Sequence, residues 1–307
     1  MTRALEILEP GLMTTVQDRG RFGLGAWGVP AAGALDAEAL AVANLLVGNR
    51  EGEAALEITF TGPVLKARGA VEIAVAGGAF GPAPGRVLRL EDGETVALWP
   101  GAGAARAIVS VAGGIDVPLV LGSKSTSFAA GFGGFEGRRL QKGDILPLGI
   151  PAGTPLARPA LPDLRGMDEQ EVFVRVLPGP QEGLFSEATQ AAFFSAPYRL
   201  LPESNRIGFR LSGPPVAAAG GAGELPSEGT AIGSVQVPAD GQPIVLLAER
   251  PATGGYAKIG SVIAVDLSRL VRARPGSLVR FARTTVDEAR RLFLERRERM
   301  RRWREEP

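Results

Sequence analysis

Glycine and proline interrupt this chain so often that long regular elements have little room. Of 307 residues, 42 are glycine and 24 are proline. Glycine supplies the left-handed backbone of tight turns, and proline ends helices and breaks strand ladders. What lies between these breaks is short and alternates with period two. Val71, Ile73 and Val75 alternate with Glu72, Ala74 and Ala76 ahead of Gly77-Gly78. Similar runs cover residues 107–111, 172–177, 244–248, 261–267 and 277–281. Residues 86–90 and 95–99 flank Glu91-Asp92-Gly93-Glu94, which predicts a hairpin because Asp-Gly provides the positive φ of a tight turn. Short strands at this density predict an all-β chain of barrels or sandwiches rather than a βαβ fold.

Helical patterns are few. Asp36 is placed to cap a helix over 37–47, with Leu40, Ala43 and Val47 on one face and Gly48 as its stop. Ser186 starts a second, short one reaching Phe193 and Phe194. From Asp287 onward the helical spacing of Ala289, Leu292, Met300 and Trp303 is clearest. Asp287–Arg291, Glu295–Arg299 and Glu298–Arg302 are favourable i,i+4 pairs there. Eight arginines and six acids in that stretch leave two readings, a solvated face that caps the fold or a surface for an anionic partner. Pro151, Pro155, Pro159 and Pro162 stiffen a linker. The expected division is therefore a domain over 1–157, a second over 165–286 and a C-terminal helix over 287–307.

Composition narrows the chemistry. There is no histidine and no cysteine, so a histidine base, a thiolate nucleophile and the usual zinc ligand sets are excluded. Catalysis must run on Arg, Lys, Tyr, Asp, Glu, Ser or Thr, and no metal site is expected. With 34 basic and 33 acidic residues, no global field points to nucleic acid or an anionic membrane. No apolar run approaches the roughly 20 residues that cross a bilayer. The first six residues carry charge where a secretion signal needs an apolar core. A soluble, cytoplasmic chain is expected.

Two glycine patterns look like nucleotide motifs and fail on context. Gly23, Gly25 and Gly28 fit G-x-G-x-x-G, but Pro30 and Gly33 follow where a helix should open. Gly122-Ser123-Lys124-Ser125-Thr126 lacks the glycine directly before its lysine, leaving an anion-tolerant loop as the open reading. Gln17-Asp18-Arg19-Gly20-Arg21 follows a short apolar strand and reads either as an ion-paired turn or as part of a site. The densest polar punctuation runs from Ser204 to Lys258, where polar side chains end apolar runs beside glycines. Ser204-Asn205-Arg206 reads as a carboxylate clamp or as a capped turn. Glu228, between Ser227 and Gly229, suits a base or an ion-pair partner for Arg206 or Lys258. Tyr256 and Lys258 stand two apart, so on an extended chain they share a side. They suit polarisation of a carbonyl or phosphate, or a lysine stem packed on a ring.

Together these segments resemble one family. Residues 9–21, Glu-Pro-Gly-Leu-Met-Thr-Thr-Val-Gln-Asp-Arg-Gly-Arg, resemble the opening of the KipA-like proteins, also called allophanate hydrolase subunit 2 and related to the carboxyltransferase region of urea carboxylase. Gly28-Val29-Pro30, Gly33-Ala34-Leu35-Asp36, residues 44–49 and residues 121–126 match in order. So do Ser204-Asn205-Arg206-Ile207-Gly208, Ser227-Glu228-Gly229, Gln236-Val237-Pro238, residues 240–243 and Thr253-Gly254-Gly255-Tyr256. The resemblance spans nearly the whole chain, ending near Phe281. Ala32 stands where a serine is common, and Pro251-Ala252 precedes Thr253 where Gln-Thr is usual. Neither departure removes a charge.

The resemblance implies two cyclophilin-like β-barrels with a few short helices, a KipI-like partner subunit and a third subunit. Stand-alone bacterial members resemble the C subunit of an ATP-dependent 5-oxoprolinase, which opens the lactam of 5-oxoproline to L-glutamate. Other members act in allophanate hydrolysis, in carboxyl transfer from biotin to urea, or as antagonists of a kinase inhibitor. This chain has no lysine in an apolar Met-Lys-Met setting, so any biotin would arrive on another polypeptide. Under the lactam reading, Arg206 and Asn205 hold a substrate carboxylate. Lys258 and Tyr256 then stabilise the oxygen being activated, and Glu228 acts as base or orienting group. Ser204, Ser227, Gln236, Thr253, Gly254, Gly255, Gln17, Asp18 and Arg21 complete the expected substrate-binding set.

Overall fold

The computed structural model describes residues 3–101, 103–164, 170–218 and 225–305. The chain divides into two compact units. The first comprises Met1–Phe22 and Ala31–Asp168, the second Gly23–Pro30 and Glu169–Pro307.

The described strands of the first unit are β1 (Ala4–Glu9), β2 (Met13–Gln17), β3 (Ala55–Thr59), β4 (Val64–Arg68), β5 (Val71–Ala76), β6 (Val87–Leu90), β7 (Thr95–Ala97), β8 (Arg106–Val111) and β9 (Ile145–Pro147). They form a four-stranded sheet in the order β7-β4-β1-β9 and a five-stranded sheet in the order β2-β3-β8-β5-β6. The period-two pattern turns one face of each sheet inward. Leu5, Leu65 and Leu146 from one sheet and Leu56, Ile73 and Val109 from the other join a single buried cluster. Each such side chain contributes about 1.5–3 kcal/mol by leaving water. Helix α1 (Ala37–Leu46) packs on β5 and β8, and the Asp36 side chain accepts from the Ala39 N–H at 2.9 Å, capping it as its sequence predicts.

The second unit closes. Strands β10 (Glu171–Pro178), β11 (Pro197–Leu200), β12 (Gly208–Ser212), β14 (Ser234–Val237), β15 (Ile244–Leu246), β17 (Ala257–Val262) and β18 (Leu278–Arg283) form a barrel in the order β10-β17-β14-β15-β12-β11-β18. Parallel pairing of β10 with β18, Val174 opposite Phe281, seals it. A two-residue ribbon, β13 (Glu228–Gly229) with β16 (Thr253–Gly254), stands apart from the barrel ladder. Helices α2 (Glu187–Ser195), α3 (Ala264–Val271) and α4 (Val286–Glu305) pack respectively on β18, on β10 and on α3. Phe193 stacks on Phe281 at 4.6 Å between centroids, with Tyr198 at 5.8 Å from Phe193, in the barrel core. No helix among the described residues is long and apolar enough to cross a membrane.

The all-β class holds, and two local expectations change. The second unit closes its strand ladder, whereas the first builds its core from two separate hydrogen-bonded sheets. Residues 86–90 and 95–99 do not form a hairpin, because β6 pairs with β5 while β7 pairs with β4. The 91–94 turn instead crosses between sheets, held by Gly93 N–H on Ala67 O at 2.9 Å and Gly69 N–H on the Asp92 carboxylate at 2.7 Å. The run 261–267 is not one strand, since it leaves β17 at Val262 and begins α3 at Ala264. The Asp266 carboxylate accepts from the Arg175 backbone N–H at 2.7 Å and from its guanidinium at 2.7 and 2.9 Å. That pins the first turn of the helix to β10, and Leu267, Leu270 and Val271 give it a buried face.

Candidate functional site

A strand irregularity creates the most reactive-looking cluster. Between β14 and β17 the register runs Val235↔Gly260 and then Gln236↔Lys258, so β17 carries one extra residue, Ile259. Such a bulge breaks the alternation and re-aims the flanking side chains. Gln236 and Lys258 become cross-strand neighbours, and both are buried. A buried ammonium requires a partner, and Lys258 Nζ donates to Glu228 Oε1. The Gln181 side-chain amide donates to the same carboxylate oxygen at 2.5 Å, while its own oxygen accepts from the Lys258 backbone N–H at 3.1 Å. These bonds, first from Lys258 and then from Gln181, hold the Glu228 carboxyl below the usual carboxylate range. Glu228 is therefore an ionised acceptor and counter-ion at neutral pH, and a weak base.

Gln236 supplies the unanswered donor. Its side chain is buried, and its Nε2 has no hydrogen-bond partner among the described residues. Leaving such a group unpaired costs about 1–3 kcal/mol, which a ligand acceptor would recover. Gly254 keeps that amide uncovered, since a Cβ there would lie 2.6 Å from Nε2. Gly254 pairs with Glu228 across the β13–β16 ribbon, so one glycine serves both the carboxylate and the amide. Thr253 pairs with Gly229, and Gly255 O accepts from Leu225 N–H at 2.6 Å, which fixes the same segment. Ser227 is exposed just ahead of this ribbon. Tyr256 is exposed just ahead of β17 while Lys258 is buried within it, so the two do not share an environment as their spacing suggests.

Other expected residues bond within the chain itself. Asn205 Oδ1 accepts from Ile207 N–H at 2.8 Å, and Ser204 Oγ accepts from Arg210 N–H at 3.0 Å, so both cap the turn into β12. Arg206 donates through Nε to Glu249 Oε1 at 2.9 Å, both side chains buried, and the Glu249 N–H returns to Arg206 O at 2.9 Å. The guanidinium expected to hold substrate is thus committed to an internal carboxylate. Gln181 and Glu249 are the two functional-looking residues that sequence reasoning misses. Gln181 has a signal, since Pro178-Gly179-Pro180 ends an apolar strand just before it.

In the first unit, Asp18 organises its own knot. Its Oδ1 accepts from Ser123 Oγ at 2.6 Å, Ser125 Oγ at 2.5 Å and Gly20 N–H at 2.7 Å, while Oδ2 accepts from Lys124 N–H at 2.7 Å. The loop that looks anion-tolerant already holds an anion, the chain's own carboxylate. The Lys124 ammonium turns to Glu53 at 3.3 Å and Ile115 O at 3.2 Å. Arg21 donates to Ser125 O at 2.5 Å and lies over Phe132 at 4.9 Å, and Gln17 donates to Thr126 O at 3.1 Å. A hollow of about 370 Å³ beside this loop is walled by Val117, Val120, Phe132 and Phe135. Its two carboxylates face cations, Asp116 with Lys124 at 3.9 Å and Glu136 with Arg138 at 2.6 Å. Gln17, Asp18 and Arg21 belong to this unit and Lys258, Glu228 and Gln236 to the other. Among the described residues no group of histidine, cysteine or acidic side chains is arranged to hold a metal ion.

Comparison with known proteins fits this layout. The family described as "Carboxyltransferase domain, subdomain A and B" matches residues 27–283. The C subunit of 5-oxoprolinase from Escherichia coli (strain K12) is 38% identical over 301 residues, covering 93% of each chain. The crystal structure of the Kluyveromyces lactis urea amidolyase superposes with a TM-score of 0.90 at 31% identity, over 96% of this chain and 19% of that one. Another crystal structure, 38% identical with a TM-score of 0.81, is covered over 56% of its own length and 92% of this chain's. The family match, the bacterial relative and the shared fold agree, and the chain belongs to the carboxyltransferase family of subdomains A and B.

Proposed function

We propose that this chain is the C subunit of a cytoplasmic, ATP-dependent 5-oxoprolinase, acting with a KipI-like partner and a third subunit to open 5-oxoproline to L-glutamate. The observation that carries the reading is the pair of donors that the β17 bulge sets side by side. Lys258 brings a buried ammonium, and Gln236 brings a buried amide with no acceptor among the described residues. Donors of this kind suit a carbonyl or carboxylate oxygen, and 5-oxoproline carries both in one compact anion. The whole-length similarity to the E. coli C subunit supports the choice of substrate.

A lactam amide resists water at neutral pH. Transfer of the γ-phosphoryl group from ATP to its oxygen releases ADP and activates the ring carbon. Water adds there, the ring C–N bond breaks with the nitrogen taking a proton, and inorganic phosphate leaves. Charge then develops at that oxygen, where fixed donors act most strongly. In this reading Lys258 and Gln236 meet the oxygen, and Glu228 accepts from the ring N–H or the attacking water. Arg206, committed to Glu249, becomes a scaffold residue, and Tyr256 and Ser227 lie at the rim. ATP is assigned to the complex, since the donors of the 122–126 loop serve Asp18.

A second reading is favoured by the family match and the urea amidolyase similarity, namely carboxyl transfer from biotin to a small amide. The same two donors suit a ureido or urea carbonyl oxygen. Biotin would supply the carboxyl group when delivered on a separate carrier. The test is a reconstituted complex assayed for ATP-dependent glutamate release from 5-oxoproline, beside urea and allophanate with and without a biotinylated carrier. Lys258→Met should lower kcat/KM at least ~100-fold, since a lost charged donor costs ~2–4 kcal/mol, and Gln236→Leu about tenfold, since a lost neutral donor costs ~1–1.5 kcal/mol. Variants within about threefold of wild type would refute the site. Turnover of urea alone, dependent on the carrier, would select the second reading, and no turnover of any substrate would leave a binding or regulatory role.

A further inference from the structure

We propose that Gln181 is a positioning residue for this site, one that decides which oxygen of Glu228 does the work; the inference rests on the reading of Lys258 and Glu228 given above.

The backbone delivers the residue. Strand β10 stays in register with β17 to Pro178↔Gly260, and one step later Gly179 N–H still donates to Ile259 O at 3.0 Å. The approach is so close that a Cβ at residue 179 would overlap Lys258 O. The chain then turns into the short 3-10 segment Glu182–Leu184, with Gln181 immediately before it. Gln181 is brought to the flank of Lys258 by this contact and by no property of its own.

Its amide orientation is fixed by both partners. An N–H can be met only by the amide oxygen and a carboxylate only by the amide nitrogen, so Oε1 faces Lys258 and Nε2 faces Glu228. Glutamine is the residue this geometry calls for. A glutamate would set a second carboxylate against Glu228, and an asparagine is one methylene too short to bridge the two.

The consequence lies on Glu228. This residue sits on an exposed two-residue ribbon, a poor platform for a precise side chain. Gln181 Nε2 and Lys258 Nζ converge on the same oxygen, Oε1. Among the described residues nothing bonds Oε2. The two bonds therefore immobilise the carboxylate and leave one defined oxygen free to accept from an N–H or O–H of the substrate. Without Gln181, Glu228 keeps a single tether and can rotate to offer both oxygens to Lys258.

The reconstituted complex tests this with Gln181→Leu and Gln181→Glu, reading kcat and KM separately between about pH 5.5 and 9. Gln181→Leu should lose about ten- to hundredfold in kcat with KM changed by less than about threefold. Gln181→Glu should be worse than Gln181→Leu at high pH and recover as pH falls, because the protonated acid donates to Glu228 where the amide did. A residue needed only for folding would not give that pH-dependent rescue. If both variants keep the wild-type kcat and pH profile, or lose activity equally at every pH together with a lower Tm, the role of Gln181 is overturned. Lys258→Met and Glu228→Gln run alongside. If they retain turnover, the site reading and the role of Gln181 fall together; if they abolish it while the Gln181 variants match wild type, the role of Gln181 alone falls.

Discussion

At the scale of single residues, like charge and like burial lead to opposite duties. Arg206 and Lys258 are both buried cations beside glycines, yet one is locked to Glu249 and the other to an exposed Glu228 on a ribbon. Breaking a buried pair leaves an uncompensated charge, so Arg206→Ala should destabilise the chain by ~3–5 kcal/mol. Replacing both partners, as Arg206→Met with Glu249→Leu, should restore most of that loss. Chemical denaturation of the three proteins checks this, and a stable single variant with unaltered folding would show that the pair contributes little. The sequence made Lys258, Glu228 and Gln236 legible as polar residues at strand ends. It could not assign partners, because Lys258 meets Glu228 30 positions away and Arg206 meets Glu249 43 positions away. Pairing over such separations is decided by barrel closure, which no local pattern encodes.

At the scale of elements, local rules worked where a local cap decides the outcome. The Asp36 and Ser186 caps start α1 and α2 as their side-chain chemistry predicts. Where a long-range contact decides, the same rules misled. The 261–267 run alternates like a strand, but Arg175 on β10 pins Asp266 and turns the chain into α3. Likewise the Asp-Gly turn at 92–93 is a real turn whose two arms belong to different sheets. Close passage of β10 past β17 yields an element-scale prediction. Gly179→Ala must shift backbone away from Lys258 O, an overpacking that costs ~1–3 kcal/mol. Thermal unfolding should show the loss, and the Lys258 amide should exchange with solvent faster because Gln181 retreats with the turn. An unchanged exchange rate would mean the two segments are not mechanically linked.

At the scale of the whole molecule, each unit carries its own core and its own polar knot, and the donors proposed to meet substrate lie in the second. The proposed reaction needs ATP, and the loop most similar to a phosphate cradle is filled by Asp18. The isolated chain is accordingly expected to release no glutamate from 5-oxoproline, with or without ATP, whereas the assembled subunits should. Measuring free glutamate against time for both preparations decides it, and ATP-dependent turnover by this chain alone would overturn the division of labour. The supernumerary Ile259 has one last implication. Side chains in a strand obey a strict even–odd parity, and that residue is where the parity of β17 changes hands. Deleting it would keep Gln236 opposite Lys258 across β14 but draw Lys258 one position along β10, to the place where Ile259 now meets the Gly179 N–H, and so off the Gln181 amide. A one-codon lesion at an uncharged position would then weaken the pocket while leaving every one of its polar side chains in the gene.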